Sequence, residues 1–295
     1  MHARIPLLVL AILAGGCSLD DATWEALLIE HRARKDERLK TSSTSPMAGT
    51  QYLKSDPAER VWLTRDGRSF ELTYKAAPDA SLLVEQSDGN WRWSAGEDGV
   101  VCLVEDVEIT DGSTLAGPAE FVVGDSHLSF YPDEERVTFI VFDAERPEMK
   151  AFDGLLYFLP DRTYAVDARL ERLADPEPVE MVTSRNLVKT FHRYAKIRFE
   201  LDGTDLELSA FKSKLSGEDS EGLFIPFRDA TSGRESYGAG RFLSIGEPEG
   251  DHFVLDFNRC FNPLCNYSPA YNCAVPPSEN HLAVAIHAGE KTYTH

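Results

Sequence analysis

AKIRFELDGTDLELSAF, residues Ala195 to Phe211, alternates strictly on either side of Asp202-Gly203. Ile197, Phe199 and Leu201 fall on one face and Lys196, Arg198 and Glu200 on the other, the period-two pattern of a strand with one wet side. Asp-Gly tolerates the positive φ angles of a tight hairpin turn, so the stretch predicts two antiparallel strands. The dipeptide recurs at Asp66-Gly67, Asp88-Gly89, Asp98-Gly99 and Asp111-Gly112, beside segments rich in β-branched and aromatic residues. Among these are RVWLT (60–64), SLLVEQ (81–86), RVTFIVFD (136–143) and YAVDARLERL (164–173). From residue 60 onward this is the punctuation of a mainly β protein, an antiparallel sandwich or barrel-like body in two halves.

One segment ahead of that body reads as a helix. Over Asp21 to Lys40, Asp20 or Asp21 supplies a cap, Trp24, Leu27 and Leu28 form a short apolar stripe, and Glu30 with Arg34 and Asp36 with Lys40 are spaced four apart for pairing. Its second half is almost wholly charged, so it is expected to pack only at its start. The organisation expected is a leader over 1–16, a helix and linker over 17–50, a first β-rich half over 51–175 and a second over 176–295. A weak boundary falls at LADPEPVE (173–180).

The leader has a short positive start at Arg4, an apolar run from Ile5 to Leu13 too short to span a bilayer, and the small residues Ala14-Gly15-Gly16 directly before Cys17. That order resembles a bacterial lipobox, which implies export, lipidation of Cys17 and attachment to a membrane. Ser18 after the cysteine implies the outer membrane or periplasm where the host has two membranes. The formal net charge of −19 argues against nucleic acid as a partner, because binding there rests on Lys and Arg meeting phosphate.

Four further cysteines follow: Cys102, Cys260, Cys265 and Cys273. Together with His281 the last three have the composition of a Cys₃His zinc set, but they lack a C-x2-C knuckle, and export favours disulfides over thiolates. No metal and no cofactor is therefore assigned. A Cys265–Cys273 disulfide is expected, closing a small loop worth about 2.5 kcal/mol on the chain-entropy model. Cys102 and Cys260 are left as the remaining pair.

Gly124-Asp125-Ser126-His127 is similar to the serine block of GDSL hydrolases, but it lies between strand-like segments with no Asp-x-x-His element near the C-terminus, and it reads as a turn. The last third is denser in chemistry. In HFVLDFN (252–258), Asp256 and Asn258 share a face, and HLAVAIH (281–287) alternates as a strand with Leu282, Val284 and Ile286 on one side.

Three stretches then carry a specific resemblance: FDAERPEMKAFDGLLYFLPDRTYAVDARL (142–170), FRDATSGRESYGAGRFL (227–243) and LDFNRCFNPLCNYSPAYNCAVPPSENHLAVAIHAGEK (255–291). They resemble the signature blocks of the bacterial and archaeal family catalogued as domain of unknown function 1684, and WEALLIEHRARKDERL (24–39) is similar to that family's opening helix. The resemblance implies no activity. It aligns Asp229, Thr231, Tyr237 and Arg241 with one block, and Asp256, Asn258, Asn262, Cys265, Cys273, Glu279, Asn280 and Glu290 with the next. Cys260 departs from the pattern, where a small apolar residue is usual, and so does Ala274, where proline is usual.

Two readings of this polar set follow. Asn and Asp side chains commonly satisfy loop backbone groups, which would make the set architecture. Alternatively Asp229, Thr231, Tyr237, Arg241, Asp256, Asn258, Asn262, Glu279 and Asn280 line a pocket in which Arg241 clamps an anion. The expected function is binding of a small ligand or an envelope partner protein by a lipid-anchored β protein. The other reading is a hydrolase-like enzyme using Asp229, Asp256 and Glu279 with Arg241.

Overall fold

A computed structural model of the chain describes residues 20–216 and 222–294. The expected leader over 1–16 and the expected lipidation residue Cys17 lie outside the described residues. Among those described, no helix is long and apolar enough to cross a membrane.

The helix α1 (Asp21–Thr41) starts where the caps predict, with Asp20 accepting from the Thr23 amide. Glu30 and Arg34 pair at 3.3 Å. Two expectations fail. Leu27 is exposed, whereas Arg32 and Leu39 are buried, so the charged half of α1 packs as well as its start. Asp36 is not set against Lys40 but accepts from the Tyr157 hydroxyl at 3.1 Å. Charged residues pack here because other segments satisfy them, a fact that helical spacing does not carry.

Eleven strands follow as a sandwich: β1 (Gly49–Lys54), β2 (Arg60–Asp66), β3 (Ser69–Thr73), β4 (Leu82–Ser87), β5 (Asn90–Ala95), β6 (Val101–Val104), β7 (Val107–Ile109), β8 (Thr114–Leu115), β9 (Ala119–Val123), β10 (Ser126–Pro132) and β11 (Val137–Phe142). One sheet has the order β1-β11-β10-β9-β6-β7 and the other β3-β2-β4-β5-β8. Val61, Leu63, Trp93, Phe121, Phe130 and Phe139 meet between them. Gly124-Asp125 forms the β9–β10 turn, as expected of that stretch.

After a short helix α2 (Pro147–Ala151), the second half is a six-stranded antiparallel half-barrel of order β16-β15-β14-β13-β12-β17. Its strands are β12 (Ala165–Val182), β13 (Val188–Leu201), β14 (Thr204–Lys212), β15 (Gly222–Phe227), β16 (Arg241–Gly246) and β17 (His252–Asp256). The opening stretch is the β13–β14 hairpin, with Leu201 paired to Thr204 and both Asp202 and Gly203 at positive φ. Ile197, Phe199 and Leu201 are buried in the core, as the alternation predicts. Residues 173–180 lie inside β12, at a register shift against β13.

The inner face of the half-barrel is closed not by another sheet but by residues 282–288, whose Leu282, Ile286 and Ala288 enter its core. This segment is irregular rather than the expected strand, although Leu282 and Ile286 do point inward. Its first residues run beside residues 228–230, with the Leu282 amide donating to the Arg228 carbonyl and the Ala230 amide to the Val284 carbonyl, and beyond them the backbone groups of Ile286 and the Ala288 carbonyl turn to the side chains of Asp229 and Arg241. A third cluster, with Leu39, Ile140, Phe142, Phe152, Tyr267 and Ala270, packs α1 and the loop of the last signature block onto the back of the first sandwich sheet.

Candidate functional site

Arg241 opens β16 and is wholly buried. Nη1 donates to the carbonyl oxygens of Ala288 and Glu290, and Nη2 donates to the Ile286 carbonyl at 2.8 Å and to Asp229 Oδ1 at 3.3 Å. Asp229 in turn accepts from the Ile286 amide at 2.8 Å and from the Thr231 hydroxyl at 2.8 Å. The anion that Arg241 clamps is therefore the protein's own Asp229, the carbonyls of the C-terminal segment take its two terminal nitrogens, and its Nε is buried without an acceptor among the described residues. Gly289 allows this close wrap: its φ is +74°, and a Cβ there would sit 2.3 Å from Cys260 Sγ.

The other polar residues serve equally local ends. Asn280, fully buried, accepts from the Ser209 amide at 2.7 Å and donates to the carbonyls of Ser209 and Pro226 at 2.9 and 2.7 Å, bridging β14 and β15. Asn262 donates its amide to Glu290 Oε2 and its side chain to the Lys291 carbonyl. Asp256 and Asn258 are neighbours, as expected: Asp256 Oδ1 accepts both the amide and the side-chain Nδ2 of Asn258 at 3.0 Å. Asp256 also accepts from Trp24 Nε1 at 3.0 Å, tying α1 to β17. Glu279 pairs with Arg193 at 2.6 Å at the surface. Asp229, Asp256 and Glu279 thus have no hydrogen-bonding partner in common among the described residues.

A cleft of about 330 Å³ lies between α1 and the segment Asn258–Leu264. His31, Arg32, Lys35 and Arg38 occupy one face of α1 at i, i+1, i+4 and i+7, and Arg259 lines the cleft from the signature segment. Glu290 is the one carboxylate among the described residues lining it, and it is paired with Lys35 and accepts from the Tyr267 hydroxyl at 2.5 Å. In a chain of net charge −19 this is a local excess of positive charge. Burial, and then the cations Arg259, Lys35, Arg34 and Arg38, hold the His31 pKa below its ordinary value. Arg32 is 9% exposed, stacks on Tyr157, and donates to the carbonyls of Phe158 and Asn258. Its Nε is buried without an acceptor among the described residues.

A second, apolar cavity of about 470 Å³ adjoins it, with Ser244, Phe261 and Leu264 lining both. Its floor is the outer face of the half-barrel, where Phe211, Phe224 and Phe242 stand on the side that alternation leaves outward. Phe191 stacks on Phe224 at 5.4 Å. Lys189, at the edge, gives its ammonium to the Asn272 carbonyl at 2.9 Å, and burial lowers its pKa.

Cys265 and Cys273 come together as expected, but as thiols: the Cys265 amide donates to Cys273 Sγ at 3.2 Å and no disulfide joins them. Tyr237 Oη lies 3.8 Å from Cys265 Sγ. The remaining expected pair does not form, because Cys102 and Cys260 are buried in different cores, where burial raises their pKa to about 12 and about 11. Cys260 donates to the Ala288 carbonyl, away from the other two, and His281 sits against the Pro276 carbonyl. No cluster of three metal-ligating side chains occurs among the described residues.

Comparison with known proteins adds a family but no activity. No curated protein matches the chain. A solved structure does, the solution NMR structure of an uncharacterized protein from gene locus rrnAC0354 of Haloarcula marismortui. It is 38% identical over 51% of this chain and 83% of that one, with a TM-score of 0.42. The family model described as "Protein of unknown function (DUF1684)" matches residues 150–291, which span the half-barrel, Arg241 with its wrap, and the loop over the aromatic cavity. Through these residues the chain belongs to the DUF1684 family.

Proposed function

We propose that the chain is an exported, lipid-anchored binding protein whose ligand is a small amphiphile with an anionic head. The head sits between α1 and Arg259, and the apolar body lies over Phe211, Phe224 and Phe242. The observation that carries the reading is the junction of the two cavities: a cationic cleft and an aromatic groove share Ser244, Phe261 and Leu264, and together fall within the size range of ligand pockets. Guanidinium groups suit carboxylate and phosphate oxygens, and Arg32, Arg38 and Arg259 all line the cleft. Export and lipidation rest on the order of residues before Cys17.

Titration calorimetry with dodecanoate, dodecyl phosphate and dodecanol tests the binding. The two anions are expected to bind and the alcohol to bind about tenfold more weakly or not at all, with Arg259→Ala narrowing the difference. If neither anion binds, the reading fails. Metabolic labelling with palmitate tests the anchor, and label is expected in the wild type and absent from Cys17→Ser.

A further inference from the structure

We propose that Cys265 and Cys273 form a thiol–disulfide exchange centre, with Cys265 attacking a small organic disulfide and Cys273 resolving the mixed disulfide. The proposal is independent of the amphiphile reading. It rests first on geometry. Cys265 lies in a single 3₁₀ turn (Leu264–Asn266) after Pro263, and Cys273 is held to the end of β12, where its amide donates to Ser184 Oγ at 3.1 Å and its carbonyl accepts from the Ser184 amide at 2.8 Å. The loop between them is pinned at the Tyr267 hydroxyl to Glu290 and at the Ser268 hydroxyl to the Gly49 carbonyl. Surrounding structure thus holds Cys273 Sγ 3.2 Å from the Cys265 amide, both residues are partly exposed, and Cys273 stands on the wall of the aromatic groove.

The electrostatics give the two thiols different roles. Hydrogen bonding by the Cys273 thiol, aided by the Tyr237 and Ser184 hydroxyls and opposed by burial, brings the Cys265 pKa down to about 6. The same contact, with burial, pushes Cys273 well above the usual thiol range. At neutral pH the pair therefore holds one proton, on Cys273, and Cys265 is the thiolate, the nucleophilic form.

The steps balance. The Cys265 thiolate attacks one sulfur of the disulfide R–S–S–R; the S–S bond breaks and one RS⁻ leaves, with Cys265–S–S–R formed. That step removes the negative charge that had held the proton on Cys273. Cys273 then releases its proton to solvent, with the Lys189 ammonium favouring the thiolate, and attacks Cys265 Sγ. The Cys265–Cys273 bond forms and the second RS⁻ leaves. One substrate disulfide is reduced and one dithiol oxidised, and a thiol of the surroundings reverses the cycle.

The test uses the full chain carrying Cys17→Ser, reduced, folded, and mixed with 5,5′-dithiobis(2-nitrobenzoate). Two equivalents of aryl thiolate are expected in a fast phase, with a Cys265–Cys273 disulfide found by peptide mapping and a rate whose pH midpoint lies near 6 rather than the ordinary thiol value of about 8.5. Cys265→Ser is expected to lose the fast phase, and Cys273→Ser to release one equivalent and retain the mixed disulfide. Iodoacetamide mapping of the Cys17→Ser chain against pH reports Cys265 without either of these further substitutions. Labelling at Cys265 that requires unfolding, a midpoint at the ordinary thiol value, or a Cys265–Cys273 bond that survives excess reduced glutathione in the folded chain each overturns the proposal. The last of these outcomes identifies an inert staple.

Discussion

Arg241 and Asp229 meet with neither side chain exposed, Nη2 to Oδ1 at 3.3 Å, twelve residues apart in sequence across the end of the half-barrel. Removing one partner of a buried pair leaves the other charge uncompensated in a low-dielectric site, which costs about 3–5 kcal/mol. Arg241→Met is therefore expected to lower the urea midpoint severely. Asp229→Asn, which keeps a carbonyl oxygen toward Arg241 and Thr231, is expected to cost less. Equal midpoints for wild type and Arg241→Met would mean that the cation is not held as described.

Asn280 supplies the hydrogen bonds that a further strand residue would give to β14 and β15. Asn280→Ala leaves one buried amide and two carbonyls unpaired and is expected to destabilise by about 3 kcal/mol. Asn280→Asp turns a donor toward two carbonyls into an acceptor, and at neutral pH it is expected to be at least as damaging. Equilibrium unfolding of both variants measures the difference.

Glu247 joins Lys212, Arg172 and Tyr194 through hydrogen bonds of 2.6 to 2.8 Å. Burial works to raise its pKa, but these bonds outweigh it and hold the value at about 2. A depressed carboxyl pKa stabilises the fold fully above the unfolded value near 4.5, and that contribution is lost as pH falls through about 2. Glu247→Gln is thus expected to be less stable than wild type at pH 6, with the gap shrinking below pH 4.5 and closing near pH 2. A gap of constant size in urea melts across that window would contradict the assignment.

Glu290 both neutralises Lys35 and places the one lining carboxylate in the cationic cleft. Glu290→Gln is expected to move two measurements in opposite directions. Stability falls by about 1–3 kcal/mol because Lys35 loses a charged partner. Affinity for dodecanoate rises about threefold or more because a like charge leaves the cleft. Calorimetry and unfolding on the same preparation separate the two effects, and weaker binding would count against a head group seated in the cleft.

The hairpin at Asp202-Gly203 was legible because its information is local: alternation, turn chemistry and burial all lie within seventeen residues. The cap at Asp20 was legible for the same reason. The cationic cleft was not, although His31, Arg32, Lys35 and Arg38 do share a face of α1 by spacing alone. Read as a solvated charged face they look ordinary, and only Arg259 and Glu290, more than two hundred residues later, turn that face into a cavity. The aromatic groove had a signal of its own in Phe224 and Phe242, which alternation puts on the outward side of β15 and β16, where a solvated strand would carry polar residues. The sequence marks Arg241 as a clamp but does not show that its anion is Asp229, since burial of a cation is a property of the surrounding fold and not of its sequence neighbours.

The carbonyl wrap around Arg241 also bears on how the half-barrel comes apart. Were residues 286–290 to peel away alone, the guanidinium would lose three acceptors while still enclosed by β15 and β16, a conformer that is costly to populate. Wrap and sheet therefore open together or not at all. A segment with little regular structure of its own is in this way coupled to the most protected part of the fold, and its amides share the opening free energy of the strands it crosses.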